Sequence, residues 1–196
     1  HHHLHTGRQG FSLFQVDDGY QRAWGDWLDL DRRKFPSESL ATVVDLIQGA
    51  GMTAGLWLAP FSCDKHSMIV KEHPEWILRN QRGVPANSAN CGKFFYGLDT
   101  THPGMRDYLK VVLSTLTKTW GFSYLKLDFL YSSILPDAFE TLHDRTKTRA
   151  QVFSEAMGIV TETMEEEGQE VYLLGCGSPI GAMIGHVHAN RVSPDA

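Results

Sequence analysis

An α/β protein built as part of a (β/α)8 TIM-type barrel, with about five to six parallel strands, is the fold the sequence predicts. Three observations carry it. Apolar runs of strand length alternate with amphipathic stretches long enough for parallel crossovers. Neither GxGxxG nor GxxxxGK[ST] occurs, which removes the main support for a nucleotide-binding doubly wound sheet. Polar residues recur where strands end, and that is where such a barrel assembles its site from βα loops.

The elements follow in order. Phe14-Gln15-Val16 reads as a short strand running into Asp17-Asp18-Gly19. After a Trp-rich loop, Pro36-Ser37 is expected to open a helix. Its apolar residues Leu40, Val43, Val44 and Ile47 recur at i, i+3, i+4 and i+7, and Gly49 and Gly51 close it. Met52 to Phe61, MTAGLWLAPF, reads as a buried strand. The next segment, about 40 residues long, contains a short helix before His73-Pro74 and an aromatic cluster at Phe94-Phe95-Tyr96. A loop of that length inside a domain is more often functional than filler.

Pro103 starts a helix with Leu109, Val112, Leu113 and Leu116 on one face, stopped by Gly121. Tyr124 to Leu130 is the next strand, and a helix from about Lys147 to Glu167 buries Val152, Phe153, Ala156, Val160 and Met164. Val171 to Leu174 is a strand ending in Gly175-Cys176-Gly177-Ser178-Pro179. The last strand, Val187 to Val192, ends at Ser193-Pro194-Asp195.

Composition bounds the rest. The chain has 196 residues, 42% apolar and 21% charged, enough for roughly one domain. A net charge of -5 with no Lys/Arg cluster argues against a nucleic-acid partner. No apolar run reaches the roughly 18 residues of a membrane-spanning helix, so no membrane association is expected. His1 to His5 resemble an expression tag, so residues 1–10 are set aside as tag and linker and 11–196 are assigned to the barrel. Three cysteines, Cys63, Cys91 and Cys176, fit a reduced, cytoplasmic setting better than a disulfide framework; a single bridge is left open.

The stretch YLKLDF sets the chemical question. Strand side chains alternate, so Lys126 and Asp128 point the same way, and burying such a pair costs several kcal/mol unless compensated. A barrel mouth supplies the compensation. Asp17, Asp18, Trp57, Lys126, Asp128, Cys176, Arg191 and Asp195 all fall at or near the ends of five strands. Asp128 and Asp195 form a candidate pair for glycosidic-bond cleavage, in which retaining enzymes place nucleophile and proton donor about 5–5.5 Å apart. Lys126 beside Asp128 favours the carboxylate form. Arg191 shares the strand parity of Asp195. Asp17, Asp18 and Trp57 offer carboxylates for sugar hydroxyls and an aromatic face for a pyranose.

Blander readings stand beside these. Asp17-Asp18 could form a plain Asx turn before Gly19, and Asp128 could cap a loop. A metal held by Asp17, Asp128 and Asp195 would compete with Lys126, and no metal is expected. His186 and His188 read as packing residues on the outside of the last strand, opposite in parity to Arg191. Cys176 has no motif-placed His to make it a nucleophile. Glu165-Glu166-Glu167 is a solvated helix end.

Taken in order, DDGYQ, GLWLAPF, HPEW, YLKLDF, LGCGSP and RVSPD closely resemble glycoside hydrolase family 36, the α-galactosidases or melibiases, over about residues 13 to 196. The resemblance implies retaining cleavage of terminal α-linked galactose, with α-galactoside sugars as ligands and no cofactor. Asp128 is implied as the nucleophile that forms a galactosyl-aspartate, and Asp195 as the acid/base. Asp17 and Asp18 are implied to grip galactose hydroxyls, while Trp57, Lys126, Cys176, Gly177 and Arg191 line the galactose subsite. Galactosyl transfer, as in the related raffinose and stachyose synthases, is the neighbouring chemistry. Family members carry a β-sandwich domain before the barrel and further strands after it. This chain opens at the family's second barrel strand and stops one residue past Asp195, so the first and last strands are expected to be absent. Open parallel edges are an association hazard, and a homodimer covering them is expected. The non-enzymatic alternative is a fragment that folds and oligomerises without turnover.

Overall fold

The computed structural model describes residues 10–90, 92–166, 168 and 170–192. Five strands form one parallel sheet: β1 (Leu13–Val16), β2 (Thr53–Leu58), β6 (Tyr124–Leu127), β7 (Tyr172–Gly175) and β8 (Ala189–Asn190), in the order β1-β2-β6-β7-β8. Helices α1 (Ala41–Gly49), α3 (Pro103–Ser114) and α4 (Arg149–Glu166) make the crossovers. Register places Gln15 beside Gly55, Trp57 beside Lys126, and Lys126 beside Leu174. The architecture is that of a partial α/β barrel. Among the described residues the outer strands β1 and β8 are each paired on one side only, and no helix is long and apolar enough to cross a membrane.

The core lies between sheet and helices. Leu56, Leu58, Leu125 and Leu127 are fully buried on the helix-facing side of the strands, against Leu109, Leu113 and Val160. That alternation leaves the opposite face of the same strands to Gln15, Trp57 and Lys126.

Several boundaries differ from the sequence expectation. The first helix begins at Ala41, because Ser37 and Ser39 bond locally instead: Ser37 Oγ donates to Ser39 O at 2.6 Å and Ser39 Oγ accepts from Ala41 N at 3.0 Å. The strand expected through Leu130 stops at Leu127, since Phe129 turns left-handed. The last strand shrinks to Ala189–Asn190. Leu173 N–H goes to His188 Nδ1 at 3.0 Å, so a side chain displaces the ladder there. His188 packs by its ring, stacked on Tyr172 at 4.9 Å, and Tyr172 stacks on Tyr124 at 5.5 Å.

The long segment after β2 is not a plain loop. It holds α2 (Met68–Glu72) and a small antiparallel sheet of β3 (Ser62–Cys63), β4 (Asn87–Asn90) and β5 (Lys93–Gly97), in the order β3-β5-β4. Gly97 lets this sheet close on the strand ends, for a Cβ there would stand 2.3 Å from the Ser132 carbonyl. Of the three clustered aromatics, Phe95 is core at 1% exposure, whereas Phe94 is 72% exposed.

Candidate active site

Asp128 sits one residue beyond β6 and is held at both oxygens. Trp57 Nε1–H donates to Oδ2 at 3.1 Å, and the backbone N–H of Phe129 donates to Oδ1 at 2.8 Å. Its own N–H is fixed to Leu58 O at 2.8 Å. The Asp128 side chain is 11% exposed and that of Lys126 is 16% exposed. Lys126 Nζ lies 4.0 Å from Asp128 Oδ2 and 3.7 Å from Asp17 Oδ2. One ammonium therefore stands between two carboxylates, and two N–H donors supply the rest of the compensation that a half-buried charge requires. A cation bound by these carboxylates would have to displace that ammonium.

Asp17 is braced from β1, with Gln15 Nε2–H donating to Oδ2 at 2.7 Å and the Asp18 N–H to Oδ1 at 2.8 Å. Asp18 faces the small sheet. Its Oδ1 accepts from Gln21 Nε2 at 2.7 Å and Trp24 Nε1 at 2.9 Å, and its Oδ2 from Lys93 Nζ at 2.5 Å. Burial pushes the Asp18 carboxyl up, but the hydrogen bonds from Lys93, Gln21 and Trp24 outweigh it and hold it below the ordinary value. The DDG motif is thus two carboxylates with separate duties, and not a bare Asx turn.

Cys176 follows β7, with its N–H donating to Leu127 O at 2.9 Å. Burial first and the Asp128 charge second push its thiol up to about 11, so it stays protonated near neutrality. Gly177, with φ 58°, lies against Phe129 and Tyr131. Arg191 is anchored by its N–H to Gly175 O at 2.9 Å, and its charge acts on Cys176. Cys63 is a free buried thiol, while Cys91 lies outside the described residues.

Asp17, Trp57, Lys126, Asp128, Cys176 and Gly177 therefore converge, and Asp18 lies at the rim with Lys93. Asp195 lies outside the described residues. Sequence reasoning missed Trp24, Gln21 and Lys93. Trp24 packs against Trp57, Phe95 and Phe129 at 5.2 Å each and carries Lys93 Nζ 4.7 Å above its ring. The alternation in KFFYG was the available signal: it sets Lys93 on the face of buried Phe95.

A carboxylate gripped at both oxygens, a lysine between two acids and an aromatic wall meet at the strand ends. Comparison with known proteins agrees. The melibiase family model matches residues 4–186. An α-galactosidase from Thermus thermophilus, solved in complex with stachyose, superposes with a TM-score of 0.79 at 36% identity, over 95% of this chain and 37% of that one. A blood-group galactosaminidase from Flavonifractor plautii is 26% identical over 87% of this chain and 16% of its own length. The Escherichia coli α-galactosidase is 29% identical over 61% of this chain and 17% of its own length. Fold and relatives define a segment of a (β/α)-barrel glycoside hydrolase. More narrowly, the chain belongs to the melibiase family, as a segment of the family 36 α-galactosidase type. It spans less than a fifth of the curated relatives named and just over a third of the Thermus structure.

Proposed function

We propose that this chain carries a retaining α-galactosidase site with Asp128 as nucleophile and Asp195 as acid/base, and that residues 11–196 act as its catalytic barrel segment. The observation that supports this best is Asp128, an acid fixed at both oxygens by Trp57 and Phe129 with Lys126 beside it. Rigid placement of an ionised carboxylate at a strand end is what attack on an anomeric carbon requires.

In this reading Asp17 and Asp18 accept hydrogen bonds from galactose hydroxyls. The aromatic wall around Trp57 takes the apolar face of the sugar, and Cys176, Gly177 and Arg191 complete the subsite. Asp128 forms a bond to the anomeric carbon as the glycosidic C–O bond breaks, and Asp195 gives its proton to the leaving oxygen. Asp195 then takes a proton from water, which displaces the Asp128 ester and releases galactose with retained configuration. Water supplies the electron pair of the second displacement and the proton that restores Asp195.

The test is release of nitrophenol from p-nitrophenyl α-D-galactoside, comparing the chain with Asp128→Asn. Turnover abolished by the substitution is the expected result; equal turnover in both would overturn the assignment. An added acceptor sugar diverts product to an oligosaccharide only if transfer competes with hydrolysis. We further propose a homodimer that covers the one-sided strands β1 and β8; Phe14 of β1 is 52% exposed and Val192, two residues past β8, is 75% exposed. Sedimentation equilibrium at the mass of one chain would refute it.

A further inference from the structure

Phe129 is the one non-glycine among the described residues with positive φ, at φ 49° and ψ 37°. An aromatic residue takes this left-handed conformation only where its surroundings impose it, and such residues gather at functional sites. Three contacts impose it here. Its ring lies 5.2 Å from Trp24 and from Phe95, and edge-on to Trp57 at 6.4 Å. Gly177 approaches so closely that a Cβ there would stand 3.3 Å from both the Cα and the N of Phe129. Its carbonyl accepts from Ser132 N at 3.0 Å and Ser132 Oγ at 2.7 Å.

The consequence is local and directional. Asp128 N–H points across the sheet to Leu58 of β2, so an extended residue 129 would send its N–H to the other side, toward β7. The turn sends it instead to Asp128 Oδ1 at 2.8 Å. The chain then rejoins the β7 loop, with Leu130 N–H on Cys176 O at 3.4 Å and Tyr131 N–H on Gly177 O at 2.9 Å.

We propose that the left-handed turn at Phe129, clamped between the Trp24–Phe95 wall and Gly177, is the device that positions Asp128 by fixing Oδ1 and thereby presenting Oδ2 to Trp57. Phe129 is a positioning residue that acts through Asp128. The inference rests on the reading of Asp128 as the nucleophile, and its test is built to fail separately from that reading.

The reporter is solvent exchange of the Trp57 indole proton, followed by NMR in the chain and assigned by its loss in Trp57→Phe. Phe129→Val keeps an apolar side chain but resists positive φ. Phe129→Asn and Phe129→Gly surrender the ring but accept positive φ. The expected result is exchange at least tenfold faster in Phe129→Val and within threefold of wild type in Phe129→Asn and Phe129→Gly. On p-nitrophenyl α-D-galactoside, Phe129→Val is expected to lower kcat at least tenfold with KM within twofold. Unchanged exchange in Phe129→Val would overturn the proposal. So would equal acceleration in all three variants, which would make the ring and not the backbone the cause. If Phe129→Val does not fold, the other two decide: a protected indole supports the turn and an unprotected one refutes it. Equal turnover by wild type and Asp128→Asn would sink the nucleophile assignment and leave the exchange result standing.

Discussion

Trp57→Phe isolates the contact that fixes Asp128 from β2. The indole N–H donates to Asp128 Oδ2 at 3.1 Å, and exposure is only 3% for Trp57 and 8% for Asp128. A hydrogen bond to a buried charged group contributes about 1.5–3 kcal/mol, because water cannot replace the lost donor. The phenyl ring keeps most of the packing against Trp24 at 5.2 Å and Trp27 at 6.0 Å, so the smaller ring adds about 1 kcal/mol through unfilled volume. The substitution is therefore expected to cost about 2.5–4 kcal/mol in urea unfolding, as a lower midpoint at unchanged slope. A double-mutant cycle with Asp128→Asn separates the two contributions, since only the hydrogen bond depends on the acid. Coupling of about 1 kcal/mol or more is expected. Coupling near zero would refute the claim that the indole holds the carboxylate, whatever the total loss.

Other expectations follow from the same geometry. Asp18 is held below its ordinary value in the folded chain, so its stabilisation is complete above the unfolded pKa of about 3.9 and fades as pH falls through the lower folded value. Lys93→Met should therefore destabilise by about 0.5–1 kcal/mol near neutrality, the discounted value for a half-exposed pair. Its unfolding midpoint should converge on wild type in strong acid, and a constant difference across pH would contradict the pairing. The Cys176 thiol, raised to about 11, should alkylate with a rate that climbs about tenfold per pH unit from 7 to 10; a plateau near 9 would show an ordinary thiol. Gly97→Ala, whose methyl would meet Ser132 O at 2.3 Å, should cost about 3 kcal/mol in thermal unfolding, and a neutral substitution would mean the small sheet does not close on the mouth.

What was readable in the sequence divides by the range of the interaction. Period-2 alternation in YLKLDF and apolar spacing in the helices depend on neighbours along the chain, and they placed Lys126, Asp128 and the crossover order before any coordinates. The small sheet was illegible as a sheet, because Asn87–Asn90 pairs with residues 93–96 through backbone groups and leaves no apolar pattern in β4. Lys93 reaches Asp18 across 75 residues, a contact that only the folded hairpin creates. The late start of the last strand was equally hidden, because His188 Nδ1 accepts the Leu173 N–H in place of a ladder hydrogen bond. The turn at Phe129 had no local warning, since phenylalanine does not favour positive φ; Gly177 and the Trp24 wall impose it from a distance.

The central claim is that Asp128 bonds covalently to galactose. A fluorinated α-galactosyl fluoride, which glycosylates faster than it hydrolyses, traps such an ester for peptide mapping by mass spectrometry. One fluorogalactosyl group is expected on the peptide containing Asp128, absent in Asp128→Asn. A label on Asp17 or Asp18, or retained labelling in Asp128→Asn, would contradict it.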